Sequence, residues 1–150
     1  MSHRHHLIPA AAAVALLAGC SGTVHVDSYP TTTNSQVDCV GLLGDPPRSV
    51  AGQQYRHVAG RIAAAWGDPP IILRCGVEEP VKLRPDSQCH EVNGVGWLAE
   101  KQGDDWLFTT IGRAYYVSLE VPAEHAPAGD ALADVSDVVA RHDPVVEPCA

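Results

Sequence analysis

Few side chains in this sequence combine a reactive type with a telling spacing. The five cysteines stand at positions 20, 39, 75, 89 and 149. None belongs to a Cys-x-x-Cys pair, and Cys89-His90 is a lone adjacency, so no metal site and no cofactor are expected. There is no Gly-x-Ser-x-Gly elbow, no His-Glu-x-x-His and no phosphate-binding glycine loop. The carboxylate pairs Glu78-Glu79 and Asp104-Asp105 sit in turn-like stretches and read as solvated turn residues. His25, His57, His90, His125 and His142 are scattered without a shared period. No catalytic residue is therefore assigned, and an enzyme is not expected.

Two arginines stand out in a chain with only ten basic residues. Arg74 interrupts the apolar run Ile71-Ile72-Leu73-Arg74-Cys75, where strand alternation puts Ile71, Leu73 and Cys75 on one side and Ile72 with Arg74 on the other. A guanidinium there is always charged and needs an acceptor. Arg113 follows Thr109-Thr110-Ile111-Gly112 at a strand end, so Arg74 and Arg113 could form an anion or carboxylate site with the threonine hydroxyls. The competing reading is an internal salt bridge, Arg74 with Asp68 or Glu120. Trp66, Trp97 and Trp106 could make a sugar platform, but each falls on a helix or strand where a core role suffices.

Cys20 is different in kind. It ends a leader with a short polar start carrying Arg4 and an apolar run from Leu7 to Ala18. That run has the length of a secretory signal core and is too short to span a bilayer as a helix. Leu17-Ala18-Gly19-Cys20 resembles the lipobox of bacterial lipoproteins, in which small residues expose the peptide bond for cleavage and the thiol takes a diacylglyceryl group. The expected division is a signal peptide over 1–19, lipidated Cys20 with a flexible tether to residue 37, and one domain over 38–150. The Ser- and Thr-rich tether would reach ~20–25 Å as a coil.

Without the leader, nine Lys and Arg face 18 Asp and Glu. So acidic a body is a poor partner for nucleic acid or for anionic lipid, which leaves the membrane contact to the lipid anchor. The four other cysteines are even in number and suit two disulfides in an oxidising compartment. Three pairings are possible. Loop lengths favour Cys75–Cys89, worth ~3 kcal/mol of chain entropy, and Cys39–Cys149, which would tie the domain ends for ~4–5 kcal/mol.

The elements that must position these residues are legible by period. Apolar residues at Ala51, Tyr55, Val58, Ile62, Ala65 and Trp66 recur every three or four positions, which predicts an amphipathic helix over 50–66 ending at Gly67-Asp68-Pro69-Pro70. Runs at 71–75, 92–99, 106–111 and 115–121 predict four strands with turns at Gly103-Asp104-Asp105 and Gly112-Arg113. Leu132, Val135 and Val138 or Val139 share a face of a second helix over 130–141, followed by an extended tail. The expectation is an α+β domain: an antiparallel sheet of about four strands, two helices on one face, and disulfide stabilisation.

The segment Ala65-Trp66-Gly67-Asp68-Pro69-Pro70-Ile71-Ile72-Leu73-Arg74-Cys75-Gly76-Val77 resembles the signature of an actinobacterial family of secreted proteins and lipoproteins known as domain of unknown function 3515. Val95-Gly96-Trp97, Thr109-Thr110-Ile111-Gly112-Arg113, Val121-Pro122 and the C-terminal Cys149 extend the likeness over nearly the whole domain. The resemblance implies the envelope of a high-GC Gram-positive cell and no particular reaction. The expected function is a non-enzymatic binding or assembly module at the outer face of the cytoplasmic membrane, with another envelope protein as its partner. A cell-wall hydrolase or a small-anion binder is the alternative.

Overall fold

A computed structural model describes residues 22–32, 38–61 and 63–149. The order of elements is α1 (Cys39–Gly44), β1 (Ser49–Val50), β2 (Gln53–Arg56), β3 (Ala63–Trp66), β4 (Ile71–Val77), β5 (His90–Val92), β6 (Val95–Gln102), β7 (Asp105–Ile111), β8 (Tyr116–Val121) and α2 (Gly129–His142). The strands form one antiparallel sheet in the order β1-β2-β3-β4-β8-β7-β6-β5. The architecture is α+β as expected, but the sheet has eight strands where about four were predicted.

Three of the additional strands, β1 to β3, lie where a helix was predicted over 50–66. Ala51 and Gly52 both have positive φ, 48° and 73°, and they close a two-residue hairpin in which Val50 pairs with Gln53. That turn type suits strand twist and ends any helix. The alanines of β3 favour a helix by propensity, but burial on both faces overrides it. Ala64 and Trp66 enter the main core, while Ala63 and Ala65 join Val58 and Ile72 in a second cluster on the opposite face. Their small side chains let that second layer approach closely.

The main core lies between the sheet and both helices. Leu42 of α1 and Ala131, Leu132, Val135, Val138 and Val139 of α2 pack with Trp66, Leu73, Trp97, Val117 and Leu119. α2 realises the predicted stripe, and no helix among the described residues is long and apolar enough to cross a membrane.

Residues 22–32 cover the other face, a correction to the flexible tether expected over 20–37. Val24 bridges Val58, its N–H donating to the His57 carbonyl at 2.8 Å, and Val24 and Val26 pack in the second cluster. Thr31 bridges Val77, and the Thr32 N–H donates to the Gly76 carbonyl at 2.9 Å. The body therefore begins well before residue 38. The alternation Val24-His25-Val26 is the local trace of this added layer, hidden among polar neighbours.

Candidate functional site

The six-residue α1 is too short to persist alone, and three ties hold it. Asp38 caps it by accepting from the Gly41 N–H at 3.0 Å, and the same carboxylate meets His142 Nδ1 of α2 at 2.9 Å. The His142 hydrogen bond, helped by the Gly41 N–H, holds the Asp38 carboxyl below its ordinary pKa. Leu42 is fully buried, and Cys39 is bonded to Cys75 of β4 with a Cα–Cα distance of 5.5 Å.

Held in this way, α1 forms one wall of a cleft of about 810 Å³. Residues 28–32 and the β2–β3 region form the others. Val40, Leu43, Pro46, Val58 and Ala63 supply apolar surface, with the Cys39–Cys75 disulfide beside them; Ser28, Thr31, Tyr55 and His57 supply polar groups. Val40 is 91 % exposed and Tyr55 40 %, so large apolar surface meets solvent at the rim. Tyr29 closes one side. Its hydroxyl donates to the Cys75 carbonyl at 3.1 Å and accepts from the Cys75 N–H at 3.3 Å, and burial pushes its pKa up.

The second disulfide joins Cys89 to Cys149, with a Cα–Cα distance of 5.8 Å. All four predicted cysteines are paired, but not as loop length suggested. Cys75 lies on β4 and Cys89 just before β5, and β8, β7 and β6 stand between those strands. Four inter-strand steps separate them by roughly 19 Å, far beyond disulfide reach. Gly96 leaves room for the bond that forms: a Cβ there would lie 2.6 Å from Cys149 Sγ and 2.7 Å from Cys89 Sγ. Cys20, the predicted lipid site, lies outside the described residues.

Arg74 and Arg113 hold different parts of the molecule. Arg74 Nη1 meets Glu120 Oε2 of β8 at 2.7 Å, one of the two salt bridges expected from sequence, and its guanidinium lies 5.8 Å from the Tyr29 ring centre. The arginine thus fastens residues 22–32 to the sheet. Arg74→Ala is expected to cost about 1–2 kcal/mol, less than for a dry pair because both side chains keep some solvent contact, and a urea midpoint measures it. Arg113 donates to the carbonyls of Asp143 and of Gly94, the latter at 2.7 Å, joining the end of α2 to the β5–β6 turn. Thr110 Oγ1 accepts from the Val117 N–H at 2.9 Å. Arg74, Arg113 and Thr110 thus make internal contacts at separate places.

Asp143, which sequence reading passed over, is fully buried at the end of α2. Its Oδ1 accepts from the Tyr115 N–H at 3.3 Å, while Oδ2 has no hydrogen-bond partner among the described residues. Burial outweighs the Tyr115 bond and the Arg113 charge and pushes the Asp143 pKa up to about 7. Burial also raises the Tyr115 phenol, to about 12. No local pattern announced this site, because the burial comes from the returning tail, where the Ala114 N–H donates to the Pro144 carbonyl at 3.0 Å.

Trp66 and Trp97 are core residues, and the Trp66 indole N–H donates to the Pro47 carbonyl at 2.8 Å. Trp106 is half-buried, stacked on Phe108 and 4.9 Å below the Lys101 ammonium. His125 meets the Pro69 carbonyl at 2.7 Å. Among the described residues, no three His, Cys, Asp or Glu side chains converge as a metal site would need.

No curated protein and no solved structure matches this chain. One family model does, over residues 6–147, which takes in the Cys39–Cys75 disulfide, the whole sheet and both helices. The chain belongs to the family described as protein of unknown function DUF3515.

Proposed function

We propose that this protein is a non-enzymatic envelope lipoprotein of a high-GC Gram-positive cell. In this reading it is a binding or assembly module held at the outer face of the cytoplasmic membrane by lipid on Cys20. The cleft beside α1 carries the reading. Its volume of about 810 Å³ lies in the range of sites that receive a partner group. Its surface is mostly apolar with a few hydrogen-bonding groups, a composition suited to holding an apolar side chain or small apolar molecule and orienting its polar end. Val40 and Tyr55 add exposed apolar surface at its rim. Export is supported by the leader and by four cysteines paired among themselves, which leaves Cys20 for lipid.

The test is photo-crosslinking in intact membranes. A benzophenone amino acid at Val40 is expected to give a discrete adduct, whereas the same group at Val81, 85 % exposed and outside the cleft, gives none. The adduct should weaken when Cys20→Ser releases the protein from the membrane. No adduct from position 40 across growth phases would overturn the reading.

A further inference from the structure

We infer that the end of the domain bearing Gly22 and the β3–β4 turn lies directly on the lipid headgroups, so that the side of the cleft lined by Tyr29, Thr31 and Cys75 is presented away from the bilayer. The inference rests on the lipid-anchor reading of Cys20 and adds an orientation to it.

Little free chain separates Cys20 from the body. Gly22 is fixed to the body: its carbonyl accepts from Arg56 Nη2 at 2.8 Å, and two residues later Val24 is hydrogen-bonded beside Val58. Cys20 precedes Gly22 by only two residues, so the anchor lies at most about 7 Å from the first fixed residue. A diacylglyceryl thioether puts Cys20 at headgroup level, with its acyl chains in the hydrocarbon below. The headgroup layer is itself ~5–8 Å thick. No room remains for the stand-off that a coil over 20–37 would allow.

Strand directions then say which end faces the lipid. Residues 22–26 run parallel to 56–60, and therefore in the same sense as β4, whose start follows the turn Gly67-Asp68-Pro69-Pro70. Arg56 ties Gly22 to that turn, donating through Nη1 to the Gly67 carbonyl at 3.0 Å. Thr31 meets Val77 at the opposite end of β4, roughly 20 Å away at strand rise, and there Tyr29, Thr31 and Cys75 line the cleft. The anchor thus lies at one end of the strand and the part of the cleft lined by Tyr29, Thr31 and Cys75 at the other, while Tyr55, His57 and Val58 extend the lining back along β2. Geometry imposes this arrangement without help from charge, because Arg56 is already engaged by Gly22, Gly67 and, at 3.8 Å, Asp68. A partner entering the cleft past Tyr29 and Thr31 approaches from the side remote from the membrane.

The experiment uses the full lipidated protein, purified from membranes and reconstituted into phosphatidylglycerol–phosphatidylcholine vesicles with acceptor dye on a fraction of the headgroups. A donor dye is coupled through a non-natural amino acid, in separate samples, at Asp68, whose side chain is 88 % exposed, and at Val146, 71 % exposed and hydrogen-bonded to Gly112 at the far end of the sheet. With a short-range dye pair, transfer from position 68 is expected to exceed that from position 146 by about twofold or more, given ~20 Å between the two ends. A ten-residue Gly-Ser insertion between Ser21 and Gly22 adds ~16–19 Å of reach and should abolish the difference. Equal transfer from the two positions in the uninserted protein, or more from 146, overturns the inference. The intact mass of the same sample distinguishes failure of the anchor from failure of the orientation. Lipid on Cys20 with equal transfer defeats the orientation alone, whereas an unmodified Cys20 defeats the anchor and the orientation together.

Discussion

Replacing Cys39 and Cys75 together by alanine is expected to lower the unfolding free energy by about 4 kcal/mol, the chain-entropy value for a bridge across a separation of 36 residues. Domains of this size are stable by only ~5–15 kcal/mol, so the urea midpoint should fall steeply. The damage should also be local. α1 has six residues, and without its bond to β4 it is held by the Asp38 contacts, by Leu42 and Leu43 and by the exposed Asp45–Arg141 pair at its C-terminal end. The wall of the cleft should loosen before the sheet does, and amide exchange in 39–44 should rise toward the rate of an open chain. Removing Cys89–Cys149, with a separation of 60, should cost a similar amount but free the C-terminal tail instead. Peptide mapping without reduction checks the premise: Cys39 should be recovered with Cys75. A Cys75–Cys89 peptide would contradict the strand order itself.

Stability is also expected to fall as pH rises from about 4 to about 7, because of Asp143. Its folded pKa of about 7 stands well above the ordinary 3.8 of an exposed aspartate. Below the unfolded value both states hold the proton, and the contribution is fully present. Between the two values the unfolded chain releases a proton that the folded one keeps, so stability declines by up to ~1.4 kcal/mol per pH unit and levels off above the folded value. The total is a few kcal/mol. Asp38 works in the opposite sense, since its depressed pKa adds stability that is lost only on acidification below its unfolded value, outside this window. Asp143→Asn keeps an acceptor for the Tyr115 N–H and removes the titration, so the pH 5 and pH 8 urea midpoints should draw together. If the slope between them persists in Asp143→Asn, another group is responsible.

Legibility from sequence followed the range of the interactions. The strands near 71–75, 92–99, 106–111 and 115–121 and the helix near 130–141 carry local periodicity that survives in β4, β6, β7, β8 and α2. The alternation around Arg74 correctly separated its face from that of Leu73, and Glu120 was one of two acceptors the sequence offered. The segment 50–66 misled because its three-to-four spacing is real but accidental. Its Ala and Trp residues line two opposite cores, which a one-sided helix could not do. Asp143 and the cleft were invisible for a related reason: each is assembled from segments far apart in the chain.

Read alone, the sequence determined the acidic balance, the even set of four cysteines beyond Cys20, the α+β class and the family likeness, because composition and short-range pattern suffice for these. Only the tertiary structure decided how the cysteines pair, that residues 22–32 are a layer of the body, what Arg74 and Arg113 hold, and where the cleft lies. All four depend on the non-consecutive neighbours β4 and β8. That one pairing carries Cys89 to the far edge of the sheet and leaves Ala63, Ala65 and Ile72 exposed on the second face until Val24 and Val26 cover them. Hydrophobic burial makes that cover necessary, and no local pattern specifies which segment supplies it.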